Sequence, residues 1–145
     1  MQVREIVNVM GGRAAFGRAV TTPLDLQKGI GAGLKVTALD RVAGHVYADP
    51  TARRVLMTRV VPEGTLKRRL REGRLSPAES ERTARLAHVI AHAEHVWRDE
   101  GHARLWLTTP HPELGDRTPI DAAVDEFGAR HVEEILDGIL HGLPA

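Results

Sequence analysis

The chain has 145 residues, a length that suits one domain or two very small helical ones. Hydrophobic residues make up 42% of it, enough for a packed core, and the absence of cysteine excludes disulfides, thiolate catalysis and Cys-ligated zinc. The net charge is only +1, and no apolar run approaches the roughly 20 residues that span a bilayer, so we expect a cytoplasmic protein without membrane contact and with no secretory leader.

The first half of the chain predicts a series of short helices. Residues 1–33 form an N-terminal segment with helical patterns over residues 3–10 and 23–30, each followed by glycines. Three further short helices are predicted within residues 34–75, and Pro62 interrupts the helical pattern just before the third. This outline is typical of a helix-turn-helix DNA-binding domain.

The third of these helices, over residues 64–71, is strongly basic. Leu66 and Leu70 are spaced to pack towards the core, which leaves Lys67, Arg68 and Arg71 to face outwards. Such side chains bind phosphates, and arginine can also pair with guanine in the major groove. We therefore predict DNA contacts from one set of residues: Thr65, Lys67, Arg68, Arg69 and Arg71. The alternative is a solvated basic helix without a partner, and Glu63 is an unfavourable neighbour for phosphate.

Charge is distributed unevenly between the two halves. Residues 1–75 contain 14 Lys and Arg against 6 Asp and Glu, whereas residues 76–145 contain 6 against 13. This asymmetry favours a polyanionic partner for the first half and a basic partner for the second. Chance clustering of charge on solvated surfaces is the alternative.

A long helix is predicted from Ser76 to about Trp97. Ser76-Pro77-Ala78-Glu79 has the residues of a capping box, with proline at the first helical position. His88, His92 and His95 follow at spacings that can bring imidazoles together around a metal. They fall opposite the apolar stripe of this helix, so we expect them to be solvated and predict no metal site.

The last part of the chain predicts a small acidic helical subdomain, so the whole fold is expected to be all-α, without a convincing strand. Thr118-Pro119-Ile120-Asp121 repeats the helix-start pattern. The final helix has an apolar stripe of Val132, Ile135, Leu136 and Ile139, and Gly142 ends it. Its outer face is expected to carry Arg130, Glu133, Glu134 and Asp137.

Several motifs in a fixed order resemble one family. They are Thr65-Leu66, Arg68-Arg69, Leu75-Ser76, Glu79-Ser80, Trp106-Leu107, Pro110, Leu114-Gly115, Thr118-Pro119, Gly128-Ala129, Val132 and Gly142. From about Gly33 to its end the chain thereby resembles the Xre/ParS/MbcA-type antitoxins of RES-domain toxin–antitoxin systems. The resemblance implies a helix-turn-helix followed by a toxin-binding domain, here residues 76–145.

This resemblance also implies partners. Such antitoxins neutralise a RES-domain toxin, which resembles ADP-ribosyltransferases and consumes NAD, by covering its active site, and they bind the promoter of their own operon. A cleft that holds a pyrophosphate is basic, so an acidic helix complements it. The predicted toxin-binding residues are Arg130, Glu133, Glu134, Asp137, His141, Leu143, Pro144 and Ala145. A homodimer is expected because DNA half-sites are usually bound in pairs.

Catalysis is not expected, and no cofactor is predicted. Ser76 and Ser80 are the only serines; Ser76 is explained as a helix cap, and no G-x-S-x-G motif is present. Two alternatives remain open. One is a stand-alone helix-turn-helix transcriptional regulator whose second domain only dimerises, and the other is a histidine-coordinated metal sensor.

Overall fold

The computed structural model describes residues 1–142, which form a helical bundle. The first half contains α1 (Val3–Val9), α2 (Arg13–Phe16), α3 (Pro23–Ala32), α4 (Val36–Val46), α5 (Pro50–Val60) and α6 (Glu63–Glu72). The second half contains α7 (Pro77–Trp97), α8 (Glu100–Leu107), a 3₁₀ turn (Pro112–Leu114), α9 (Pro119–Ala122) and α10 (Glu126–Leu140). The all-α prediction is confirmed for this range, which has no strand and a single isolated bridge between Lys35 and Arg74. None of the helices described is long and apolar enough to span a bilayer.

The helix starts follow the capping residues of the sequence. Ser76 Oγ accepts the backbone N–H of Glu79 at 3.2 Å, and the Glu79 carboxylate accepts the N–H of Ser76 at 2.9 Å, which completes the predicted capping box. Asp49 caps α5 and Thr118 caps α9 in the same way, each followed by proline. These side chains satisfy N–H groups that have no partner within the helix.

Helix α7 is the centre of the bundle. It packs against α1, α3, α4 and α5 as well as against α8, α9 and α10. Its buried residues include Leu86, Val89 and Ile90, none more than 1% exposed. The predicted boundary between residues 75 and 76 therefore falls at the start of a helix that both halves use.

The N-terminal segment is part of the same core. Ile6, Val9 and Met10 are buried at or just after α1, and this helix packs against α7, α4 and α3. Removing such apolar side chains from water stabilises the fold by about 1.5–3 kcal/mol each. Residues 1–33 thus cover one side of α7.

Backbone pairing at the α6–α7 junction ties the basic helix to the centre. Leu75 N–H donates to Leu34 O at 2.8 Å, and Val36 N–H donates to Gly73 O at 3.0 Å. The fully buried Ser80 hydroxyl accepts the N–H of Leu34 at 2.8 Å. Ser80 thereby has a structural partner, as Ser76 has in its cap.

Candidate functional site

Helix α6 presents three basic side chains to solvent. Leu66 is fully buried and anchors the helix, whereas Lys67, Arg68 and Arg71 are exposed. The expectation that Leu70 packs inwards is wrong, because its side chain is 44% exposed. The helix therefore rests on the core through fewer apolar contacts than its sequence suggests.

Arg69 faces α7 instead of solvent. Its Nε donates to Glu79 Oε1 at 2.7 Å and its Nη2 to Glu79 Oε2 at 3.2 Å, while Nη1 lies 3.3 Å from Glu72. The Glu79 side chain is 7% exposed. Burial alone raises the pKa of Glu79, but the bonds from Arg69 and from Ser76 N–H outweigh it and lower that pKa. All three guanidinium nitrogens are occupied, so we remove Arg69 from the set predicted to contact DNA.

Glu63 at the start of α6 is paired as well. Arg54 Nη2 donates to Glu63 Oε1 at 2.8 Å, and this bond is the main reason that the pKa of Glu63 is lowered. The carboxylate also suits the positive end of the helix dipole. Its unfavourable effect on a nearby phosphate is thus partly neutralised. Thr65 is half-buried in the first turn of α6.

The expectation that three histidines of α7 are solvated is wrong for His92, which is 7% exposed. Helix α10 packs against α7, and this contact places Glu133 between His88 and His92. His88 Nδ1 lies 2.6 Å from Glu133 Oε1, and His92 Nδ1 contacts Glu133 Oε2. His92 Nε2 lies 3.1 Å from Asp137. We call His88, His92, Glu133 and Asp137 the polar seam.

The polar seam favours a charged His92. Only an imidazolium can donate from both ring nitrogens, and each nitrogen of His92 faces a carboxylate. The hydrogen bond to Glu133 raises the pKa of His92, against the opposite effect of burial. Burial raises the pKa of Glu133, but the bonds from His88 and His92 together lower it below its ordinary value. The imidazoles and carboxylates pair with one another, and within residues 1–142 no such group is arranged to hold a metal.

Helix α10 directs a mixed charged face to solvent. Arg130, Glu134 and Asp137 are exposed as expected from the sequence, and His141 is exposed as well. Glu133 does not belong to this face, because it is half-buried in the polar seam. The other three residues assigned to toxin binding, Leu143, Pro144 and Ala145, lie outside the described residues.

Phe127 belongs to the exposed face of α10 and was not predicted from the sequence. It is 80% exposed, and the Arg130 guanidinium carbon lies 5.9 Å from the centre of its ring. The helical spacing could have identified it, since Phe127 falls outside the stripe of Val132, Ile135 and Leu136.

Comparison with known proteins gives two matches in chain order. Residues 25–88 match the antitoxin Xre-like helix-turn-helix domain, and residues 92–142 match the antitoxin Xre/MbcA/ParS C-terminal toxin-binding domain. A protein named Antitoxin Xre from Yersinia enterocolitica is 33% identical over 113 residues, which cover 77% of this chain and 75% of that protein. Another Antitoxin Xre, from Pseudomonas putida, is 37% identical over 84 residues, which cover 57% of this chain and 53% of that protein.

Proposed function

Because this chain belongs to the Xre family of antitoxins, we propose that it neutralises a RES-domain toxin by covering its active site and represses its own operon by binding DNA. The observation that carries the proposal is the succession of a helix-turn-helix match and a toxin-binding match along one chain. The toxin-binding part corresponds to the end of α7 and to α8–α10.

The exposed face of α10 supports the toxin side of the proposal. A RES-type toxin consumes NAD, so its active-site cleft accommodates a pyrophosphate and is expected to be basic. Glu134 and Asp137 are exposed one turn apart on α10, with His141 one turn further. Carboxylates in this arrangement complement a basic cleft and accelerate association with it.

The exposed face of α6 supports the DNA side. Lys67, Arg68 and Arg71 lie on a helix that follows a short break after α5, as a recognition helix does. Arg68 lies 3.4 Å from Glu72, but both side chains are about half exposed, so phosphate can compete for this arginine. A homodimer would present two such helices to successive half-sites.

The toxin proposal is tested with the product of the neighbouring reading frame. Co-expression of the full chain should restore growth to cells that express this product, and the two proteins should purify as one complex. Glu134→Lys should weaken the complex, with a larger loss at low salt than at high salt. Glu113→Lys is the matched control, because Glu113 is exposed in the same half of the chain but outside α10. Growth that is not restored by the wild-type chain would contradict the proposal.

The DNA proposal is tested by titrating the operon's promoter at several salt concentrations. Alanine at Lys67, Arg68 and Arg71 should weaken binding and reduce the salt slope by about 0.9 for each phosphate that the variant no longer neutralises. Lys28→Ala, an exposed charge on α3, should leave both unchanged. An unchanged promoter affinity in the folded triple variant would contradict this assignment.

A further inference from the structure

Phe127 is the aromatic side chain that the fold leaves in water. The sequence has five aromatic residues, and the other four, Phe16, Tyr47, Trp97 and Trp106, are partly buried against the core. Phe127 is 80% exposed. In a chain whose core has so few aromatic rings, a phenylalanine on the surface contributes little to folding.

The backbone around Phe127 holds the ring outwards. A Cβ on Gly128 would lie 1.8 Å from Ala122 O, so the first turn of α10 packs directly on the end of α9. Asp125 Oδ1 accepts the N–H of Gly128 at 2.7 Å and caps the same turn. Since Gly128 and Ala129 face the core, Phe127 must face away from it.

Arg130 pairs with this ring. Its guanidinium carbon lies 5.9 Å from the ring centre, within the range of a cation–π contact, and its Nη2 lies 3.4 Å from Glu126. These contacts pre-order an aromatic ring and an arginine, two types of side chain that are enriched in the cores of protein interfaces. Pre-ordering lowers the entropic cost of binding.

A groove lies beside the same edge of α10. It has a volume of about 350 Å³, and Glu126, Arg130 and Glu133 form one side of it. Ala84 and Val89 of α7 line it, together with Ile6, Leu26 and Ile30 from the N-terminal helices. Glu81, Arg85 and His88 also line it, and Arg130 is the residue that connects this groove with the Phe127 ring.

We propose that Phe127, held by Arg130, is the anchor by which this chain docks onto its cognate toxin. The inference rests on the proposed toxin-neutralising function and identifies the residue that contributes most to complex formation. Phe127 lies within residues 92–142, the part that matches a toxin-binding domain. The toxin's docking site is then an apolar pocket with an acceptor for the Arg130 guanidinium. Its rim is basic, because Glu126 and Glu134 flank the anchor on α10.

The test measures the affinity of the purified toxin for full-length variants. Phe127→Ala should raise the dissociation constant by about tenfold or more, as truncation of an interface anchor does. Phe127→Trp should retain most of the affinity. The thermal stability and promoter affinity of Phe127→Ala should match those of the wild-type chain, because the ring has little contact with the core. Leu105→Ala is the matched control: Leu105 is 66% exposed in the same matched region, but on α8.

Each outcome separates this inference from the function on which it rests. If the wild-type chain does not bind the toxin, the proposed function fails. If it binds and Phe127→Ala binds equally well, only the anchor is wrong. A Phe127→Ala variant whose free form changes its oligomeric state would assign the ring to contact with a second copy and would also overturn the inference.

Discussion

At the scale of single residues, His92 is a buried histidine whose two ring nitrogens each face a carboxylate. It is buried between two carboxylates, Glu133 and Asp137, on a neighbouring helix. A neutral imidazole can donate to one of them and would leave its other nitrogen, an acceptor, facing the second. The charged form is thus the one that suits this position. The contact between α7 and α10 should therefore respond to pH.

We expect stability to be greatest between about pH 4.3 and pH 6.5, the ordinary pKa values of Glu and His. The pKa of His92 is raised on folding, so its contribution is complete below about pH 6.5 and is lost as the pH rises through the raised value. The pKa of Glu133 is lowered, so its contribution is present above about pH 4.3 and is lost as the pH falls through the lowered value. Thermal unfolding measured at pH values from below about 4.3 to above about 6.5 tests both limits.

Two variants test whether the loss of stability above about pH 6.5 comes from the polar seam. His92→Gln should remove most of the decline above pH 6.5, and Glu133→Gln should destabilise the protein by about 1–3 kcal/mol because a buried partner is lost. His102→Gln is the control, since His102 is 72% exposed. An unaltered pH dependence in His92→Gln would show that another group titrates.

At the scale of helices, the pair of Arg69 and Glu79 fixes how α6 lies on α7. The Glu79 carboxylate accepts two hydrogen bonds from the guanidinium and a third from the N–H of Ser76. It therefore connects the last turn of α6 to the first turn of α7. A bidentate pair of this kind restricts rotation as well as separation.

We expect Arg69→Ala to destabilise the protein clearly more than a change at an exposed arginine does, because it leaves the Glu79 carboxylate, which is 7% exposed, without its partner. Arg68→Ala should change stability by less than about 0.5 kcal/mol, because its side chain is 54% exposed. Urea unfolding of both variants makes the comparison. Equal stabilities would mean that Glu79 finds another partner and that α6 does not depend on Arg69.

Sequence reasoning predicted these helices well but placed some of their side chains wrongly. Caps such as Ser76 act on neighbours three residues away, so the sequence contains the complete interaction. Arg69 and Glu79 are ten residues apart on different helices, and His92 and Glu133 are 41 apart. Their pairing depends on how the helices pack, which a single helical wheel cannot supply. The exposure of Phe127 could be predicted from a helical wheel, because it follows from the periodicity of α10 alone.

The close contact between α9 and α10 gives a second test at this scale. Gly128→Ala should destabilise the protein by at least about 2–3 kcal/mol, because backbone atoms of Ala122 occupy the space of the new methyl group. Gly31→Ala is the matched control: its helical position is open, and alanine should stabilise α3 by about 0.5–1 kcal/mol. The midpoint temperature of thermal unfolding should therefore fall for Gly128→Ala and rise for Gly31→Ala. Equal shifts would contradict the tight packing of Gly128.

At the scale of the whole molecule, α7 packs against helices of both halves. The first half supplies α1, α3, α4 and α5 to one part of its surface, and the second half supplies α8–α10 to the rest. Both proposed binding helices, α6 and α10, attach to it. The two halves can therefore have separate functions without folding independently of each other.

We predict that a fragment of residues 75–145 is poorly folded, although it contains every helix assigned to the toxin. It lacks Ile6, Val9 and Met10, each worth about 1.5–3 kcal/mol of burial, together with the helices that cover α7. Typical domains have a total stability of about 5–15 kcal/mol, so a loss of this size removes most of it. Circular dichroism should show reduced helix content and a broad thermal transition. Adding a fragment of residues 1–74 should restore the helicity of the 75–145 fragment. As a control, the full chain with Lys28→Ala should unfold like the wild type. A sharp transition of the 75–145 fragment within a few degrees of the full chain would show that the second half folds alone.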